Sequence, residues 1–417
     1  MMNTIGVLGG RWRATVSAAG CIQPWGGEAS LDWFVAADDR WHVPAQEAAI
    51  RQRRLDGAPV FETRLRVPTG DAVHRVWCVA DGGGFTVIEV ENESTLPFAV
   101  AFSRADLLSV RPPAEVPIEG ISLPAGSVVF PVGHHSTIRV ALAHTPGTTQ
   151  LPDGLASAAQ VARGWETILE RAGRIAVPEE SVVADIAVLR CELALNGPVE
   201  PSEDPVAFLL DVGQLVRLGE RADPWVPDVA DAIAAVARRP LTWDVAAALD
   251  AAALVLHRAG ETRAVRDVAR MRSAAATVLP SLLDADCNDS RVLAWHEQRL
   301  ARCTGAGGAD LLSGGIPDTW LGANFEAHQL PIGPAATVSF AVRWHGERPA
   351  VLWEVLGDAV RLTAATIAPE WAAAADKGEA LWPAPAGAAV AASVAAASLV
   401  ADSPEMPEAS DTGISFS

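Results

Sequence analysis

The sequence predicts a multidomain chain of mixed α and β class: an N-terminal β-sandwich, an α-helical bundle or partial α/α toroid, and a small C-terminal β element. Three observations predict it. Apolar residues recur with period two up to about Leu151, switch to a helical period, and return to period two after Ala335. At 417 residues the chain exceeds the length at which one core usually stops growing. Half of its residues are hydrophobic, enough to fill more than one core. The expected divisions are 1–152 for the sandwich, 153–312 for the helical domain, 313–383 for a pocket loop and the small β element, and 384–417 for an alanine-rich segment and a mobile tail.

Residues 60–67 set the pattern of the first domain, with Phe61, Thr63, Leu65 and Val67 on one parity and Glu62, Arg64 and Arg66 on the other. That alternation predicts a half-buried strand. Residues 73–79, 84–90, 97–102, 127–132 and 136–142 continue the series between Gly, Pro, Asn and Asp turns, and many strands with short connections predict a sandwich. The segments 156–172, 181–195, 205–218, 227–237, 242–259, 261–278 and 289–303 each carry the helical period, several of them bounded by Gly or Pro. Trp165, Leu169, Ile175, Val188 and Leu189 are read as packing residues, and Thr242 as an N-cap with Asp244 favoured by the exposed amides. Later, Val338, Phe340 and Val342 alternate, and 350–354 leads through Gly357-Asp358 into Val360-Arg361-Leu362 as an expected hairpin. Residues 386–399 offer a weak helical stripe of Val390, Val394 and Leu399. From Asp402 the chain is small and polar, and is expected to be dispensable for folding.

Charge excludes one class of partner. Fifty-one acidic against 32 basic residues give a formal charge of -19, and the basic clusters are short, so no nucleic acid is expected. A neutral, hydroxyl-rich ligand is not repelled by such a field. The first 20 residues place Arg11 and Arg13 after an apolar run too short and glycine-rich for an export signal, and 386–397 is too short and weakly apolar to span a bilayer. A cytoplasmic protein without membrane contact is the expectation. Cys21, Cys78, Cys191, Cys287 and Cys303 are odd in number and widely spaced, which predicts reduced core thiols. His328 and His345 belong to no H-E-x-x-H motif, and His134-His135 form no recognised ligand set, so no metal is expected. Gly6, Gly9 and Gly10 match neither phosphate-binding glycine pattern, and no Gly-x-Ser-x-Gly elbow occurs. No cofactor is expected either.

Chemistry concentrates at residues 314–328. Two glycines, a proline, an indole, two carboxylates, an amide and an imidazole stand within fifteen residues, which predicts a ligand-facing loop on a scaffold. Asp318, Glu326 and Glu354 are the candidate catalytic carboxylates, because an inverting hydrolase needs an acid and a base placed on either side of the scissile bond. A carboxyl beside the apolar ring of Trp320 would be raised by desolvation, whereas a solvated loop carboxylate is the ordinary case. Trp320, Asn324, His328, Trp344, His345 and Arg348 are the candidate substrate-binding residues. Indoles stack on sugar rings and also fill cores, and this chain has 14 Trp and no Tyr. Trp353 is a further indole of this group, and Arg348 is equally read as a clamp with Glu347 or Glu354.

Gly26-Gly27-Glu28-Ala29-Ser30-Leu31-Asp32-Trp33-Phe34, followed by Val60-Phe61-Glu62-Thr63-Arg64-Leu65 and Pro68-Thr69-Gly70, resembles the front of glycoside hydrolase family 15, the bacterial glucoamylase and trehalase-type enzymes. The resemblance covers roughly residues 15–105. It implies a sandwich before a six-hairpin toroid, of which this chain holds about half the helices; residues 245–260 are similar to one toroid helix. Leu311-Leu312-Ser313-Gly314-Gly315 and Leu321-Gly322-Ala323-Asn324-Phe325 are similar to the family's Leu-Leu-x-Glu-Glu and Leu-Gly-Asn-Phe-Pro-Gln strings. The first string supplies the family's catalytic base, and here Gly314 and Gly315 stand in the glutamate positions. The resemblance therefore implies a shortened glycoside-hydrolase-like protein on neutral carbohydrate. Inverting hydrolysis of α-linked glucosides is one expectation, and a non-catalytic carbohydrate-binding or structural partner protein of the same fold is the alternative.

Overall fold

The computed structural model describes residues 3–114, 119–273, 289–305 and 307–385. The alanine-rich stretch, the polar tail, Cys287 and the end of the helix expected over 261–278 lie outside the described residues.

Three antiparallel sheets form the N-terminal region. The largest has six strands, in the order Leu108–Ser109, Thr137–Ala143, Phe85–Asn92, Gly70–Val79, Phe61–Val67 and Arg51–Arg54. Phe61, Leu65, Val76 and Ile88 from this sheet meet Val35, Val100 and Phe130 of a four-stranded sheet and Ile5, Val16 and Ile22 of a three-stranded one in a single core. On the opposite parity, Trp77, Val79, Phe85 and Val87 pack under the first helices. The rest of that face is a charge lattice, in which buried Glu62 accepts from Arg53, Arg64 and Arg75 at 2.8, 3.1 and 2.8 Å. Burial alone raises the Glu62 carboxyl, and the three guanidinium bonds outweigh it and bring it down to about 2.

Seven helices follow among the described residues: α1 Ala158–Leu169, α2 Glu180–Asn196, α3 Pro205–Leu218, α4 Val226–Val236, α5 Trp243–Arg258, α6 Thr262–Ser273 and α7 Ser290–Leu300. Helix α3 is buried on every side, as a helix apolar around most of its circumference must be. Asp204 caps it by accepting from Val206 N and Ala207 N, Pro205 occupies its first turn, and Gly219 ends it at φ 118. Gly213 lets α5 approach, since a Cβ there would sit 2.8 Å from Ala251 Cβ. Thr242 does occupy the N-cap of α5, yet its hydroxyl bonds to Asp244 rather than to the helix amides. At the centre, Glu297 of α7 accepts from Arg190 of α2 at 2.9 Å, and from Arg217 and Gln214 of α3 at 2.7 and 3.2 Å. One carboxylate thereby ties three helices together.

Two further sheets form the C-terminal region. One has five strands in the order Arg174–Ala176, Phe325–Gly333, Ala336–His345, Arg348–Gly357 and Lys377–Leu381. The other has four, Ala301–Gly305, Gly308–Leu311, Arg361–Thr363 and Ala372–Ala373, with a parallel pair at its centre. Phe325, Val338, Phe340 and Trp353 from the first meet Leu311 and Leu362 from the second, together with Trp320 and Ile186 of α2, in one core. Two expectations are corrected here. The helix expected to run to Cys303 stops at Leu300, where Ala301 adopts φ -148 and begins a strand. The expected hairpin through Gly357-Asp358 is no hairpin: Arg348–Gly357 and Arg361–Thr363 belong to different sheets, and the link carries the chain from one to the other. The protein is thus a multidomain fold in which N- and C-terminal β sheets flank a central helical bundle. No helix among the described residues is long and apolar enough to cross a membrane.

Candidate functional site

The loop begins where Gly308–Leu311 ends. Leu312, at φ 49, turns the chain back onto the end of α7, donating to Leu300 O at 2.8 Å, and Ser313 Oγ donates to Gln298 O at 2.6 Å. Gly314 N then donates to Arg299 O at 3.2 Å. A Cβ at Gly314 would lie 2.7 Å from Arg299 Nε and 3.0 Å from its Cβ, so the Arg299 stem closes the place where a side chain would start. Arg299 itself lies over the Trp295 ring at 4.5 Å, and Trp295 meets His296 edge to face at 4.9 Å. Beyond Pro317 a 3-10 turn, Asp318–Trp320, buries the Trp320 indole edge to face against Phe325, with centroids 5.2 Å apart.

These groups enclose a hollow of about 80 Å³, lined by Trp295, His296, Arg299, Gly315, Pro317 and Trp320 with Glu179 and Val182 opposite. Trp320 Nε1 is buried without an acceptor among the described residues. Burial and then the neighbouring Arg299 push the His296 imidazole below its usual range, so it is neutral near pH 7.

Ile175 and Val177 line this hollow and also a much larger cleft of about 900 Å³. The cleft runs between the Arg54–Gly57 bend of the N-terminal region, the end of α1, the start of α2 and the Ala323-Asn324 corner of the loop. Asp56, Glu166, Glu170 and Glu180 line it with Arg54, Arg174 and Arg190. Arg54 Nη2 and Arg190 Nε are buried and have no acceptor among the described residues. Along both concavities the unmet hydrogen-bonding groups are therefore donors.

Of the residues singled out in the sequence, Trp320 lines the hollow and Asn324 lines the cleft. Asn324 Oδ1 accepts from Trp344 N at 3.2 Å, and Trp344 Nε1 donates to Ala323 O at 2.8 Å, so Trp344 pins the loop corner and lines neither concavity. Strand parity turns Phe325 and Ala327 inward and Glu326 and His328 outward. Glu326 is 2.6 Å from Arg343 Nη2 and 3.3 Å from His328 Nε2. The Arg343 bond first, and the His328 contact second, hold its carboxyl below the ordinary range. Glu354 is exposed on the same outer face, two strands away and one outward position along. Its Cα lies about 12 Å from that of Glu326 by strand geometry. Asp318 is exposed at the start of its turn, and His345 is exposed at the tip between Ala336–His345 and Arg348–Gly357. Arg348 donates to Trp382 O at 3.0 Å and Leu381 O at 3.1 Å, a clamp on backbone carbonyls in place of the expected carboxylate partner. The three candidate carboxylates line neither concavity.

Sequence reasoning passed over Trp295, His296 and Arg299, which lie in a segment read only as a helix. The adjacent Trp295-His296 pair, near the end of a helical segment, was the available signal. Arg54 and Arg174 carried none, because the cleft joins segments more than a hundred residues apart. Among the described residues no three His, Cys, Asp or Glu side chains are grouped to hold a metal ion. No protein-family model matches the chain, and no curated protein matches it in sequence.

Proposed function

We propose that this chain binds neutral carbohydrate, of the α-linked glucoside class, without hydrolysing it. The observation that carries the reading is Gly314, which offers no carboxylate where the resemblance to family 15 expects a glutamate, and beside which the Arg299 side chain crowds the place where a side chain would start. The placement of Asp318, Glu326 and Glu354 outside both concavities supports it, because a hydrolytic pair must face one bound bond from two sides. The cleft of about 900 Å³, unlike the hollow of about 80 Å³ at Trp320, has room for a sugar ring, and the unmet N–H groups of its lining residues Arg54 and Arg190 suit sugar hydroxyl and ring oxygens, which accept. An acidic surface suits a neutral ligand better than an anionic one. In this reading the N-terminal sheets are the family's sandwich, the helices are a shortened toroid, and the protein works in the cytoplasm away from nucleic acid and membrane.

Calorimetric titration with maltose, maltotriose and isomaltose, run beside an assay for released glucose, tests the proposal. Saturable binding without glucose release is the expected result. Release of glucose that Glu326→Gln abolishes would establish the hydrolase instead, and neither binding nor release would remove both readings.

A further inference from the structure

A second cavity lies inside the helical bundle, between α3, α5 and α7, and is closed on one side by Pro331, Gly333 and Pro334 of the C-terminal sheet. It shares no lining residue with the hollow at Trp320, and with the large cleft it shares none either. Its volume is about 80 Å³. An apolar cavity of about 150 Å³ takes a benzene ring, so this one fits a ligand of two or three carbons.

The walls are polar in part. Gln214 is 5% exposed and lines the cavity, and its Oε1 is buried with no donor among the described residues. Its amide nitrogen is occupied by Glu297 at 3.2 Å, which fixes which end of the amide is left over. Asp250, on α5, also lines the cavity; one of its oxygens accepts from Arg272 at 3.0 Å. Of the donors nearby, Ser290 Oγ bonds to Asp211, and Arg217 bonds to Glu297 and to Ala172 O; the side-chain amide of Gln298 lines the cavity as well. Glu297 is paired with Arg190 and Arg217, and Asp250 with Arg272, so each carboxylate in the wall has a guanidinium beside it. Leu210, Ala251, Leu254 and Ala294 supply apolar contact between the polar groups.

We propose that this cavity is a binding site for a short vicinal diol, whose hydroxyls donate to Gln214 Oε1 and Asp250 while its carbons lie against the alanine and leucine walls. The site is independent of the carbohydrate reading, since it rests on different residues and on the opposite hydrogen-bonding need.

Ethylene glycol is the probe, followed by ligand-observed NMR titration of the full chain. Wild type binds it saturably in the millimolar range expected for four heavy atoms. Gln214→Leu and Asp250→Asn each weaken binding about tenfold, the loss of one hydrogen bond, with near-UV circular dichroism confirming the fold. Trp320→Phe leaves it unchanged. Absence of saturable binding to wild type overturns the proposal. Equal binding by wild type and whichever of the two cavity variants folds also overturns it, because that is the mark of an adventitious additive only. Preference for ethylammonium over ethylene glycol overturns the assignment to a neutral diol.

Discussion

The hollow beside Trp320 and the cavity beside Gln214 have the same volume, and α7 lines both, yet their unmet hydrogen-bonding groups are opposite. At the first, and in the cleft next to it, N–H donors lack acceptors; at the second, a carbonyl oxygen lacks a donor. The difference teaches that polarity alone does not describe a pocket: the sense of the unmet bond decides which ligand atom belongs there. Glu297 stands between the two. It holds Arg190, which lines the cleft, and it holds the amide nitrogen of Gln214, which lines the cavity.

Breaking that link has the largest expected effect. Glu297 is buried with Arg190 and Arg217, and Glu297→Gln leaves two guanidiniums without their carboxylate in the bundle core. A loss of about 3–5 kcal/mol is expected, read as a shift of the urea unfolding midpoint, and binding at both sites weakens together. Wild-type stability in this variant would mean that the two sites are not joined through Glu297.

An internal control lies in the N-terminal core. His74 stacks on Trp33 at 4.5 Å and is almost wholly buried, and desolvation pushes its imidazole down to about 3. The folded pKa lies below the unfolded value of about 6.5, so the unfolded chain binds more protons as pH falls from 6.5 toward 3. Stability is thus lost on acidification through that window, with a slope approaching about 1.4 kcal/mol per pH unit. His74→Gln removes this contribution, so chemical denaturation at pH 6, 5 and 4 should show wild type losing more stability than the variant. Parallel curves would contradict the buried neutral imidazole.

Trp320→Phe sharpens the comparison at smaller cost. It keeps most of the ring packing against Phe325 and removes the orphan N–H, so stability should change by less than about 1 kcal/mol, while glucoside affinity, which depends on the larger cleft, should stay within about twofold. The smallest effect belongs to Glu326→Gln. Its carboxylate pairs with Arg343 and His328 on an open sheet face, where such pairs contribute about 0–1 kcal/mol. Binding should not change measurably.

Much of the fold was legible because its signals are local. Alternation in Phe61–Val67 and the Pro205 and Gly219 boundaries of α3 are written in consecutive residues. The strand Ala301–Gly305 was not legible, since its apolar residues continue the helical period of α7 and only pairing with Gly308–Leu311 makes it extended. Arg174–Ala176 is three residues long and owes its conformation to a partner strand far along the chain. The loop at 314–328 stood out by composition, and Trp320 and Asn324 do reach concavities. Strand parity already placed Glu326 opposite Phe325, whereas the carbonyl partners of Arg348 and the Arg299 stem against Gly314 arise only from tertiary packing.

The central claim, binding without hydrolysis, meets its most direct test in one measurement: maltotriose titrated into the full chain by calorimetry, with free glucose measured in the same cell after prolonged incubation. The account predicts a saturable isotherm and no glucose above the protein-free control. Glucose accumulating in proportion to protein concentration would contradict it.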